Sequence, residues 1–160
     1  MKRPILLALA LLCPLLILGG QAASNIWKTT SGTEVVLPIQ GFDPRNLLSG
    51  HYLQYRIDFG IENLCESQAS VSWVCLDPRK EFLVPPGKNQ CSQFIVGSCD
   101  TGRFSAGIER FYVPEAEALA LERAVIRGAG SVILSVQDDG TTLVKDLLIE
   151  GKPWRELDTD

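Results

Sequence analysis

The sequence predicts a mainly β domain of the α+β class, an antiparallel sheet or partly open barrel of about seven strands with one helix, Pro114 to Arg127, packed on it. Two observations carry that prediction. Short runs rich in β-branched and aromatic residues recur along the chain, separated by clusters of Pro, Gly and Asn. A single segment after the N-terminal region then switches to a helical period with start and stop signals at its ends.

The strand runs come in order. Thr33 to Ile39 (TEVVLPI) is the first, and Tyr52 to Phe59 alternates apolar and polar residues over a longer stretch. Ser70 to Leu76, Glu81 to Val84 and Gln93 to Val96 follow, and Arg103 to Val113 reads as one strand with Gly107 as a bulge. In the helix, Pro114 suits the first helical position because its missing N–H costs nothing there. Glu115 and Glu117 place negative charge where the helix dipole favours it, Ala118, Leu121 and Val125 form an apolar stripe, and Gly128 terminates. Residues 131–150 read as a closing hairpin around Asp138-Asp139-Gly140. Both Asp-Pro-Arg runs, at Asp43 and at Asp77, read as turns.

The N-terminus differs in kind. Lys2 and Arg3 precede an apolar run from Ile5 to Leu18 that extends to Ala23, the pattern of an export signal. A helix from Ile5 to Ala23 would cover roughly 28 Å at ~1.5 Å per residue, close to the ~30 Å of a bilayer core. Residues 1–23 are therefore expected to be a membrane anchor, with a cleaved signal peptide as the alternative. The small residues Ala22 and Ser24 and the breakers Pro14, Gly19 and Gly20 speak for cleavage, whereas the absence of a strongly polar boundary before Asn25 speaks for retention. In both cases the basic residues stay in the cytoplasm and residues 24–160 form one extracytoplasmic β-rich domain.

Charge and cysteines bound the function. With Lys2 and Arg3 set aside, 13 basic residues face 19 acidic ones, a net −6, which argues against nucleic acid as a partner. Cys65, Cys75, Cys91 and Cys99 fit two disulfides in an oxidising compartment. Three pairings are possible. The local one, Cys65 with Cys75 and Cys91 with Cys99, is the expectation because each pair brackets a short segment. The spacings are too wide for the close pairs of zinc modules, so no metal is assigned.

Reaction machinery is sparse. His51 is the single histidine, no nucleophile elbow or phosphate-binding glycine loop occurs, and no cofactor is assigned. Asp138-Asp139-Gly140 lacks the acidic ladder of a calcium loop and reads as a turn. Glu109 and Arg110 beside Tyr112 read as a solvated strand face, with a polar site as the other reading.

Three blocks carry a resemblance. The run FDPRNLLSGHYLQYRI places Asp43, Pro44 and Arg45 in a turn and Gly50 and Tyr52 shortly after it; AGIERFYVPE spans Ala106 to Glu115; LVKDLLIEGKPW spans Leu143 to Trp154. In this order, behind an N-terminal hydrophobic segment, they resemble the bacterial GDYXXLXY family of membrane-anchored proteins. His51, Tyr55 and Ile57 depart from its Asp, Leu and final Tyr. The family has no assigned activity. The resemblance implies a domain tethered to the bacterial inner membrane and facing the periplasm, with a multi-spanning membrane protein as partner, and it marks Asp43, Pro44, Arg45, Gly50, Tyr52, Glu109, Arg110 and Tyr112 as structural or interaction residues.

Two function classes follow. The first is a non-enzymatic accessory domain docking on a membrane or periplasmic protein, its aromatic strand face supplied by Tyr52 and Tyr55. The second is a serine–lysine hydrolase of signal-peptidase type, which would need Ser49 beside a buried, neutral Lys145. In the accessory reading the segment from Phe42 to Ile57 is a structural corner, with Tyr52 toward the core and His51 outward.

Overall fold

The computed structural model describes residues 2–41, 52–66 and 70–156. An N-terminal helix, α1 (Lys2–Ser31), leads into β1 (Thr33–Gly41) and β2 (Tyr52–Ile57). Then come β3 (Ser72–Leu76), β4 (Arg79–Phe82), β5 (Phe94–Asp100), β6 (Arg103–Ser105) and β7 (Arg110–Tyr112). A second helix, α2 (Glu115–Ile126), precedes β8 (Gly130–Val136), β9 (Thr142–Ile149) and β10 (Lys152–Pro153), and a 3-10 turn (Trp154–Glu156) follows. The strands form two antiparallel sheets, one of them a half-barrel: a six-stranded sheet ordered β10-β9-β8-β1-β2-β7 and a four-stranded sheet ordered β4-β3-β5-β6.

The predicted class holds: the domain is mainly β with α2 packed on the larger sheet. The helix follows its sequence signals closely. Pro114 has an extended backbone and stands at the N-cap rather than inside the first turn, its carbonyl accepting from the Glu117 N–H at 3.2 Å. Leu121, Ala124 and Val125 are the buried stripe. At the far end Gly128 takes φ +79° and the Ala129 N–H returns to the Ala124 carbonyl, which satisfies orphan carbonyls of the last turn.

The β8–β9 hairpin also forms as expected. Asp139 Oδ1 accepts the Thr141 N–H at 2.9 Å, and that bond holds its carboxyl below the usual carboxylate range. Gly140 is needed for two reasons. Its φ of +82° suits glycine, and a Cβ there would lie 2.6 Å from the Phe94 ring. Its carbonyl accepts the Val96 N–H at 3.1 Å, so the tip of a hairpin in one sheet seals a strand of the other.

Three expectations are corrected. Residues 103–113 are not one bulged strand: Gly107, at φ +78°, is the point where the chain leaves the small sheet as β6 and enters the large one as β7. Among the described residues the strand count rises to ten, partly because tight turns at Thr101-Gly102 and Glu150-Gly151, all four residues with positive φ, add short strands. The cysteines pair as Cys65–Cys99 and Cys75–Cys91, with Cα separations of 5.5 and 5.9 Å, not locally. The β3–β5 register explains this. Ser72 lies opposite Gly97 and Cys75 opposite Phe94. Running the strands antiparallel puts Cys99 at the end of β3 from which Cys65 approaches, and Cys91 at the end where Cys75 sits. With their sulfurs bonded to each other, the four cysteines offer no thiolate to a metal.

The core joins both sheets and the helix: Leu37, Ile39, Leu53, Tyr55, Val132, Leu134 and Leu147 from the large sheet, Val74 and Ile95 from the small one, and Leu121 and Val125 from α2. Phe59 meets Phe104 edge to face at 5.3 Å across the junction. The large sheet curls so that Trp154, just beyond its β10 edge, packs edge to face on Phe111 of β7, its other edge, at 6.2 Å. Side chains, not ladder hydrogen bonds, close the half-barrel.

Candidate interaction face

The β2–β7 pair brings two of the sequence blocks together. Its register sets Tyr52 opposite Tyr112, Leu53 opposite Phe111 and Gln54 opposite Arg110. Because side chains alternate across a strand, Leu53, Tyr55 and Phe111 turn inward, while Tyr52, Gln54, Arg56, Arg110 and Tyr112 share the outer face. This corrects the reading of Tyr52 as the core ring and of Tyr52 and Tyr55 as one aromatic face. Three residues apart on a strand, they point to opposite sides.

Tyr55 is the buried ring, 1% exposed. Its hydroxyl donates to the Ile108 carbonyl at 2.6 Å, and its N–H reaches the Glu109 carbonyl at 3.2 Å. Burial, reinforced by the nearby Glu109 carboxylate, pushes the phenol well above its ordinary value. It stays neutral and locks the corner before β7.

Glu109 ties off the same corner, its two oxygens accepting from the Ser105 hydroxyl at 3.0 Å and the Ala106 N–H at 2.6 Å. Arg110 faces out, its guanidinium 5.3 Å above the Tyr52 ring. Tyr52 and Tyr112 meet edge to face at 6.1 Å, and Tyr112 is 75% exposed. Beside them is a shallow pocket of about 400 Å³ lined by Gln54, Arg56, Arg103, Ser105, Glu109 and Arg110, among others. It is arginine-rich and rimmed by aromatic rings. Among the described residues its one hydroxyl–carboxylate contact is Ser105 with Glu109, whose other oxygen is taken by the Ala106 N–H.

Asp43, Pro44, Arg45, Gly50 and His51 lie outside the described residues, as does Ser49. Lys145 is partly exposed and ion-paired with Glu34. Sequence reasoning missed Arg56, Arg103 and Gln54 as members of this face. The alternation of β2 could have placed Gln54 and Arg56 beside Tyr52, but the approach of Arg103 depends on the crossover at Gly107.

The N-terminal helix meets the domain at a defined junction. Its Lys28 carbonyl accepts from the Ser135 hydroxyl and the Gln137 amide, each at 2.7 Å, so an orphan carbonyl of the last turn is satisfied by β8 and the residue after it. Residues 10–31 form a helix long and apolar enough to cross a membrane, a test that a signal sequence also passes.

A family model described as GDYXXLXY protein matches residues 14–147, most of the chain. Neither the curated proteins nor the solved structures compared with the chain gave a match.

Proposed function

We propose that this chain, which belongs to the GDYXXLXY family, is a membrane-anchored, extracytoplasmic accessory domain that binds a membrane or periplasmic protein through the β2–β7 face. The observation that carries the reading is the convergence of Tyr52, Arg110 and Tyr112, from blocks far apart in sequence, on one exposed surface. Tyr and Arg are the residue types that dominate the energetics of protein interfaces.

Anchoring is supported by α1. It runs unbroken past Ala23 to Ser31, and its end is fastened to β8 through Lys28. Trp27, 73% exposed just before that fastening, suits the membrane–water interface, where tryptophan is enriched. Two disulfides suit an oxidising periplasm. The serine–lysine hydrolase is the second reading. Its base would have to be a desolvated, neutral lysine, and the exposed ion pair of Lys145 with Glu34 favours the accessory role instead.

The test is chemical crosslinking in intact cells followed by affinity purification of the full-length protein. One multi-spanning membrane protein should be recovered with the wild type and largely lost with Tyr52→Ala/Tyr112→Ala. Equal recovery with that variant, or a hydrolytic activity abolished by both Ser49→Ala and Lys145→Ala, would overturn the proposal.

A further inference from the structure

We infer that the β2–β7 face takes an acidic polypeptide segment of its partner, with Arg110 as the principal contact; this rests on the interaction role proposed above and names its chemistry. The first argument is charge. Outside Lys2 and Arg3 the chain carries a net −6, yet the described lining of this pocket holds three arginines, Arg56, Arg103 and Arg110, and one carboxylate, Glu109.

The second argument is the state of Arg110. Among the described residues no carboxylate pairs with it, and its guanidinium lies over the Tyr52 ring, 5.3 Å from the centroid. A cation–π contact takes up none of the guanidinium's N–H donors, and their fork matches a carboxylate.

The third argument separates a polypeptide from a lipid surface. The chain leaves α1 at Thr33, and Arg56 lies opposite Gln40, seven residues along β1. At ~3.3 Å per residue that is roughly 23 Å along the strand, and Tyr52 lies further on in the same direction. The face is therefore well separated from the helix end, whose own surroundings include Asp138 and Asp139. The pocket, about 400 Å³, is larger than one small anion would fill, and Tyr52 and Tyr112 extend the surface beyond it.

The experiment uses the full chain in lipid nanodiscs and three probes: a labelled peptide of alternating Glu and Ser, the same peptide with Gln for Glu, and phosphatidylglycerol vesicles. The Glu-Ser peptide should bind at low salt and weaken as ionic strength rises, the Gln-Ser peptide binding ~10-fold or more less tightly. Arg110→Glu should lower Glu-Ser binding at least ~10-fold, and Arg110→Lys should lose much of it because the fork is gone. Lys88→Glu, an equal charge change at an exposed position near Thr33, should leave it unaltered. Since Arg110 is exposed, both variants should keep the wild-type circular dichroism.

Equal losses from Arg110→Glu and Lys88→Glu, preference for the vesicles over the peptide, or no Glu-Ser binding would each overturn the inference. Loss of peptide binding with crosslinking still dependent on Tyr52 and Tyr112 would remove the acidic-segment claim alone. Loss of both would remove the interaction role as well.

Discussion

Tyr55 shows how one side chain can fix a corner. It fills the core with its ring, and its hydroxyl satisfies the Ile108 carbonyl just before β7. Truncation to alanine should cost ~3–5 kcal/mol, as large aromatic deletions do. The half-buried Tyr52 should cost at most ~1.5 kcal/mol, its ring pairing being of that order; urea unfolding of both variants checks the order. Tyr55→Phe should lose about 1 kcal/mol by stranding a carbonyl. It should also change the alkaline limb. The folded phenol is held neutral, so its folded pKa exceeds the unfolded value of about 10. Its stabilising contribution is complete below that value and is lost as pH rises beyond it toward the folded one. Wild-type stability should therefore fall between neutral pH and pH about 11 more steeply than that of Tyr55→Phe, and identical slopes would contradict the assignment.

At the scale of elements, what was legible in the sequence was local. Helix α2 and the β8–β9 hairpin carry their own caps and turn residues, and both stand where Pro114, Gly128 and Gly140 put them. The disulfide pairing was not legible, because it depends on which strand lies beside β3. The same holds for residues 103–113: a glycine with positive φ fits a bulge or a corner equally well, and only the competition between two sheets for β6 and β7 decides. Half of the face could be read from the alternation of β2. Its union with Arg103 and Arg110 needed that corner. Two outcomes check this level. Digestion without reduction should release peptides linking Cys65 to Cys99 and Cys75 to Cys91, and a Cys65–Cys75 peptide would refute the β3–β5 register. Replacing Cys75 and Cys91 by serine should cost ~2–4 kcal/mol.

At the scale of the whole molecule, the three resembling blocks become one object. Tyr52 of the first meets Tyr112 of the second on the outer face, while Phe111 of the second meets Trp154 of the third where the half-barrel closes. The same sheet continues through β8, which grips the end of α1 and so joins the face to the N-terminal helix. The topology that this architecture proposes is tested by a reporter fused after Asp160, which should be active outside the cytoplasm and silent when it requires the cytoplasm. The central claim, that the β2–β7 face is where a partner docks, is tested most directly by placing a photoreactive residue at Tyr112 in the full-length protein in cells and, separately, at the exposed Lys88 near Thr33. A single discrete adduct with another membrane or periplasmic protein should form from position 112 and not from position 88. No adduct from 112, or the same adducts from both positions, would contradict it.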